Sequence, residues 1–181
     1  MPKVLRAKVC LLGEAGVGKT SLVRRFVFDQ YSDKYYPTLG AMVTKKELTV
    51  QYAESTLQVL LLVWDIMGEP SFREVVADAY FPGSQGLLAV GDLTRPPTVR
   101  SLPEWVEAAW RVTGRIPVAL LGNKADLPAE PGAQEALTDI GASYDAPRWR
   151  TSARTGENVE AAFSSLARTL TGALLASGPR E

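Results

Sequence analysis

Short apolar runs alternate with helical patterns along the whole chain. The runs at 4–12, 57–65, 86–92 and 116–123 are nearly all apolar, as strands covered on both faces must be. A fifth run, VTKKELTV at 43–50, alternates instead, with Val43, Lys45 and Glu47 set against Thr44, Lys46 and Leu48. That pattern suits a half-exposed edge strand. A weaker run, RWRT at 148–151, is the sixth. Helical spacing predicts helices over 19–28, 98–113, 131–141 (ending at Gly141) and 157–175, the last with Val159, Ala162, Phe163, Leu166, Leu170 and Leu174 on one face. In 98–113 the periodic positions are Leu102, Trp105, Val106, Ala109 and Trp110. Pro103 fits that helix only in a first turn. The two tryptophans are read as core packing rather than a ligand platform, because their spacing is that of a buried face. Alternating strands and helices, with no repeat or low-complexity linker, predict an α/β fold built on a doubly wound sheet. Its ligand is expected at the C-terminal ends of the strands.

Composition narrows the chemistry. The length of 181 residues predicts one domain, 1–181, with a core of about 4–175. Twenty basic residues balance twenty acidic ones, so no global field recruits nucleic acid or an anionic membrane. Histidine is absent, which excludes a histidine base, a serine–histidine triad and His-ligated zinc. The lone cysteine, Cys10, excludes an intrachain disulfide and a cysteine-cluster metal site. It reads as a buried core residue, and a reducing, cytoplasmic location fits. The N-terminal MPKVLRAKVCLLG carries charge inside its apolar stretch and does not read as a signal peptide. Residue 2 is proline and LLASGPRE has no cysteine, so no direct lipid anchor is expected.

The segment GEAGVGKT, 13–20, follows a predicted strand and opens a predicted helix, the context a phosphate-binding loop requires. Gly13, Gly16 and Gly18 let the backbone turn its amides inward toward phosphate oxygens, and the helix N-terminus adds its dipole. Lys19 can neutralise β- and γ-phosphates, and Thr20 can offer a hydroxyl to Mg²⁺. This motif alone separates neither ATP from GTP nor a kinase from a switch. NKAD, 123–126, makes that separation. The Asp126 carboxylate can accept two parallel hydrogen bonds from guanine N1–H and the exocyclic amine. Adenine offers no such pair, so the carboxylate would be left unpaired. Asn123 can pin the loop and reach the base edge, and the stem of Lys124 can lie over the purine. In TSARTGENV, 151–159, Ser152 supports the loop and the Ala153 amide can donate to the guanine oxygen. Residues 29–42 are polar and aromatic with no apolar period, the composition of a segment ordered by bound phosphate and metal.

With these motifs in one order, the chain resembles the small GTPases of the Ras superfamily, nearest the Rab-like branch and its tail-less, prokaryotic-type members. The resemblance covers about 4–175 and rests on GEAGVGKT, YYPTLG, WDIMGE, NKAD and TSAR. It implies a P-loop NTPase G domain. The sheet would be six-stranded and mainly parallel, with one antiparallel edge strand and helices on both faces. It also implies GTP and GDP as ligands, with Mg²⁺. The implied nucleotide site comprises Glu14, Ala15, Gly16, Val17, Gly18, Lys19, Thr20, Ser21, Tyr31, Tyr35, Pro37, Thr38, Gly68, Asn123, Lys124, Asp126, Ser152, Ala153 and Arg154. Thr20, Thr38 and Asp65 (through a water) would hold the metal. Gly68 would contact the γ-phosphate, Tyr31 the guanine, and Tyr35 would close over the phosphates. The implied catalytic set is Glu69, Gly68, Lys19 and Thr38. Protein effectors and regulators would engage two switch regions, about 31–43 and 65–80. Val43, Trp64 and Tyr80 match an apolar partner surface, or serve sheet and helix packing.

One stretch departs from the family. WDIMGEP stands where WDTAGQE is usual. The family glutamine orients the attacking water and donates a hydrogen bond, whereas an ionised Glu69 only accepts. Met67 is expected to hinder Gly68, and Pro70 to open the helix of the second switch. Ala15 could crowd an arginine supplied by a partner. No arginine of the chain is assigned as an internal finger, Arg73 being the one possibility. Two functions remain open on sequence: a switch with slow GTP hydrolysis, and a hydrolysis-deficient GTP/GDP-binding scaffold. A P-loop kinase would need a lid and an acceptor domain for which the chain has no room.

Overall fold

The computed structural model describes residues 4–178. Pro2 and the end of LLASGPRE, on which the expected lack of a lipid anchor partly rests, lie outside the described residues. Six strands form one sheet: β1 (Val4–Leu12), β2 (Ala41–Tyr52), β3 (Ser55–Ile66), β4 (Gly86–Asp92), β5 (Val118–Asn123) and β6 (Arg148–Arg150). Their spatial order is β2-β3-β1-β4-β5-β6. β2 runs antiparallel to β3, and every other pairing is parallel. This is the expected mainly parallel sheet with one antiparallel edge strand. The chain leaves β1 at the centre and fills one half of the sheet, then the other, so the loop after β1 lies where the halves diverge.

Six helices cover the sheet: α1 (Lys19–Phe28), α2 (Arg73–Tyr80), α3 (Pro96–Arg100), α4 (Leu102–Thr113), α5 (Ala133–Tyr144) and α6 (Val159–Ala176). The central strands read as unbroken apolar runs because each feeds two cores. Ala7, Val9 and Leu11 of β1 point to a cluster with Leu22, Phe26, Phe163 and Leu166 of α1 and α6. Cys10 and Leu12 point to the opposite cluster with Val76, Val99, Trp105 and Leu137 of α2 to α5. The Phe26 and Phe163 rings stack at 4.0 Å and lock α1 to α6. β2 keeps the alternation read from sequence: Leu48 is half-buried and Val50 buried, while Val43, Lys45 and Glu47 are exposed.

The departures from the expected elements have local causes. The helix expected over 98–113 is two helices, broken at Ser101. Pro103 lacks an N–H and so occupies the first turn of α4. The helix expected to end at Gly141 continues to Tyr144 and ends on Asp145 in the left-handed region. Gly141 serves packing instead, since a Cβ there would approach Arg148 Cδ to 3.1 Å. β5 starts at Val118, two residues later than expected, after Pro117. Pro70 opens a 3₁₀ turn, Pro70–Phe72, that leads into α2. Trp105 is fully buried, and Trp110 stands edge-on to Tyr144 at 5.2 Å, so both tryptophans pack. Cys10 is buried against Ser84 Oγ at 3.0 Å, and burial pushes its thiol up to about 11. Among the described residues no helix is long and apolar enough to cross a membrane.

The ring stack generates a stability test. Phe163→Ala is expected to lower the free energy of unfolding by about 3–5 kcal/mol, measured by denaturant titration with the slope unchanged.

Candidate nucleotide and metal site

The loops at the C-terminal ends of β1, β3, β4 and β5 meet around a cleft of about 850 Å³. Its walls include Ala15, Gly16, Gly18, Lys19, Thr20 and Ser21 from the first loop, Tyr31 to Leu39 from the second, and Gly68, Glu69 and Lys124. The motif residues separated in sequence are therefore neighbours in space.

At the floor, Gly18 ends the phosphate loop at φ 104°. A Cβ on it would fall 2.2 Å from Asn123 Nδ2, so backbone conformation and space both require glycine. Lys19 is buried, and its Nζ spans the loop to donate to the Gly13 and Glu14 carbonyls, each at 2.8 Å. An ammonium has three N–H groups, so one more can meet an anionic oxygen. Burial lowers its pKa to about 8, against the opposing pull of Asp65 and Glu14.

Beside it lie three oxygen-bearing side chains. Thr20 Oγ1 and Thr38 Oγ1 are 3.0 Å apart. Thr20 Oγ1 donates to Asp65 Oδ2, and Thr38 Oγ1 lies 3.5 Å from the same oxygen. Asp65 is buried, and its Oδ1 has no hydrogen-bond partner. Burial raises its pKa, while Thr20, Lys19 and Thr38 oppose the rise. An orphaned carboxylate oxygen beside two hydroxyls is a hard-oxygen set, and it fits Mg²⁺ with its retained waters.

At the other end, Ser152 Oγ donates to Asp126 Oδ1 at 2.7 Å and accepts from the Thr155 amide at 3.0 Å. The exposed Asp126 carboxylate is thereby oriented. Asn123 pins the loops, as expected. Its Nδ2 donates to the Val17 carbonyl at 2.9 Å, and its Oδ1 accepts from Thr151 Oγ1 at 3.1 Å. The Ala153 amide, offered on sequence to the guanine oxygen, lies 3.3 Å from Asn123 Oδ1. Lys124 adopts a left-handed φ of 64° and pairs through Nζ with Asp92 Oδ2 at 2.7 Å. Arg154 is exposed.

The second loop and WDIMGEP form the open side. Tyr35 is exposed, Tyr31 less so, and Pro37 and Thr38 lie between them and β2. Met67 lines the cleft beside Gly68. Its side chain packs on the second core and its amide donates to the Gly40 carbonyl at 2.8 Å. Gly68 itself accepts from the Ala15 amide at 2.8 Å. A Cβ on Gly68 would meet Gly13 O at 2.4 Å, so close approach demands glycine. Glu69 is exposed and accepts from Ser71 Oγ at 3.3 Å. Arg73 turns away from the cleft, paired with Glu104 at 2.7 Å. Trp64 and Tyr80 are half-buried, 6.5 Å apart, with Lys8 Nζ 3.9 Å over the Trp64 ring. Packing therefore claims most of these two, while Val43, paired in register with Trp64, stays exposed.

Comparison with known proteins agrees with this geometry. The model for the Ras family matches residues 8–172. The chain is a Rab-like member of the Ras superfamily. It is 35% identical over 174 residues to the Ypt/Rab-type GTPase YPT7 of Saccharomyces cerevisiae, covering 90% of this chain and 80% of that one. It is 37% identical over 175 residues to the human Ras-related protein Rab-22A, covering 94% and 88%. Against the Ras-related protein Rab-13 of Bos taurus the figure is 32%, over 96% and 83%. Membership makes this GTPase a guanine-nucleotide-binding switch protein in general terms.

Sequence reading of this small GTPase missed the residues that brace its motifs from behind. Arg25 of α1 donates through Nε to the Ala153 carbonyl at 2.8 Å and through Nη2 to the Arg154 carbonyl at 2.7 Å. Asp92 and Arg95 connect Lys124 to the phosphate loop. Their one sequence signal is position: Asp92 ends a predicted strand on the ligand side of the sheet.

The lowered pKa of Lys19 has a measurable consequence. Above about pH 8 the free protein holds Lys19 largely neutral, and an anionic phosphate brings its proton back. GDP binding near pH 8.5 is expected to take up a fraction of a proton. Uptake should diminish as pH falls toward about 7, where Lys19 is already charged. Calorimetry in buffers of differing ionisation enthalpy reads it, and no uptake near pH 8.5 would contradict the assignment.

Proposed function

We propose that this protein cycles between GTP-bound and GDP-bound states, with slow intrinsic hydrolysis, as one G domain spanning about residues 4–175. The observation that carries the reading is that Lys19, Thr20 and Thr38 line one cleft while the buried Asp65, with Oδ1 unpartnered, stands behind Thr20 and Thr38 through Oδ2, and that Ser152 orients Asp126. The phosphate-loop amides from Glu14 to Ser21 and the Lys19 ammonium hold the phosphates, and Asp126 selects guanine. Thr20, Thr38 and Asp65 hold Mg²⁺, which when bound neutralises charge on the phosphate oxygens.

The slow rate is assigned to Glu69. A neutral glutamine both accepts a hydrogen bond from the attacking water and donates one to the transition state. An ionised glutamate accepts only, and it brings negative charge toward the γ-phosphate. Its contact with Ser71 leaves the acceptor facing a local hydroxyl. Thr38 and Gly68 report the γ-phosphate to the two switch regions, 31–43 and 65–80. Tyr36, Leu39 and Val75 are exposed there, and with Val43, Trp64 and Tyr80 they form the surface offered to effectors and regulators. A cytoplasmic location, without a nucleic-acid partner, completes the proposal.

A second reading, a nucleotide-bound scaffold that does not turn over, draws on the bond from the Ala15 amide to the Gly68 carbonyl. That bond turns the Gly68 carbonyl toward the phosphate loop. Single-turnover hydrolysis of bound GTP decides between the two. The switch reading expects a slow but definite rate, rising about 10²-fold in Glu69→Gln. No turnover in either protein selects the scaffold. Competition binding tests the shared foundation: GDP is expected to outcompete ADP by at least about 10³-fold, and equal binding would remove both readings.

A further inference from the structure

Arg95, at the start of α3, reaches back to the phosphate loop. Its Nε donates to Asp92 Oδ2 at 3.0 Å and its Nη2 to the Ala15 carbonyl at 3.2 Å. A Cβ built on Gly16 would lie 3.3 Å from the same Nη2. The guanidinium thus rests against the peptide that joins Ala15 to Gly16. In a trans peptide the carbonyl and the N–H point to opposite sides, so the Gly16 N–H faces away from Arg95, and Gly16 itself lines the cleft. A cation on the carbonyl fixes the rotation of this peptide and strengthens its N–H as a donor.

The other side of Arg95 is anchored deep in the fold. The Asp92 side chain is fully buried. Its Oδ1 accepts from the Thr94 amide at 2.8 Å and Thr94 Oγ1 at 2.7 Å. Its Oδ2 is shared by Arg95 and Lys124. Burial pushes the Asp92 carboxyl up, but the bonds from Lys124, Thr94 and Arg95 together outweigh it and hold the group below its ordinary range. Asp92 is therefore an ionised hub between the NKAD loop and the phosphate loop. Arg95 also acts on the phosphate site by charge, being among the causes that lower the Lys19 pKa. An isolated surface ion pair would add little. This one differs in that one end is a buried carboxylate and the other a backbone carbonyl of the phosphate loop.

We propose that Arg95 is a positioning residue that presets the Ala15–Gly16 peptide for a nucleotide polyphosphate, and that Asp92 couples this preset to Lys124 at the base end. The inference rests on the reading of the cleft as a guanine-nucleotide site and adds a residue to it. Arg95 does not touch the nucleotide in this account; it acts through the peptide.

The test uses the full chain with Arg95→Ala and Arg95→Lys, and Arg168→Ala, an exposed residue of α6, as a surface control. Three quantities are read: release of a fluorescent GDP analogue, the Gly16 amide resonance in the GDP complex, and single-turnover GTP hydrolysis. Arg95→Ala is expected to speed release about five- to tenfold and to move the Gly16 amide proton upfield while Gly18 stays. The melting midpoint should match that of Arg168→Ala. Arg95→Lys keeps one donor and is expected to fall between. Tight GDP binding by the wild type, with release and the Gly16 amide both unchanged in Arg95→Ala, overturns the inference and leaves the nucleotide reading standing. Faster release with a lower melting point and an unmoved Gly16 amide also overturns it, as a merely structural role. Lost hydrolysis with unchanged release overturns it in favour of direct contact with the transferred phosphoryl group. Absence of guanine-nucleotide binding by the wild type removes the reading beneath it, and the inference with it.

Discussion

One buried side-chain amide holds the candidate site together. Asn123, at the end of β5, donates to the Val17 carbonyl and accepts from Thr151 and the Ala153 amide. Two loops far apart in sequence, the phosphate loop and the segment after β6, are thereby fixed to one group at the end of β5 that is 1% exposed. Leaving such an amide unpaired would cost roughly 1–3 kcal/mol, so the loops and the amide define each other. The same contact explains Gly18: no side chain fits between the phosphate loop and Asn123. The site is therefore a consequence of how β1 and β5 end, rather than an addition to a finished fold.

Around this brace, each binding motif is held from behind by a residue outside it. Arg25 fixes the backbone of Ala153 and Arg154, Ser152 turns Asp126, and Asp92 holds Lys124 and Arg95. A carboxylate or ammonium on a loop recognises a ligand well only if its position is set beforehand, because ordering it on binding consumes affinity. The base end of the cleft has this support. The stretch 29–40 has no helix or strand and exposes Tyr35, Tyr36 and Leu39. It meets the rest through few polar contacts, such as Thr38 with Thr20 and the Gly40 carbonyl with Met67. A rigid half that selects the base and a lightly held half that senses the phosphates is the division of labour a switch requires.

The chemistry of WDIMGEP is likewise divided. Asp65 closes β3 inside the fold, and Gly68 touches the phosphate loop because it has no side chain. Met67 is partly buried, packed against the second core while still lining the cleft. Glu69 stands outside, its carboxylate accepting only from Ser71 among the described residues. Binding and sensing thus depend on buried, constrained groups. In the proposed function, the group on which the rate of hydrolysis turns is a single exposed carboxylate, Glu69.

The motif residues were legible in the sequence because each motif is local: a strand end, a few polar residues and a helix start fit within a short window. The same holds for the strands, whose unbroken apolar runs record burial on two faces, and for β2, whose alternation records burial on one. What the sequence could not carry was any contact between windows. The paths of Arg25, Asp92 and Arg95 depend on side chains brought together across the sheet from distant positions. The sequence alone determined the sheet, its order of motifs and the chemistry available at the cleft. Only the tertiary structure decided which groups face one another, because hydrogen bonds and ion pairs act over a few ångströms of space regardless of separation along the chain.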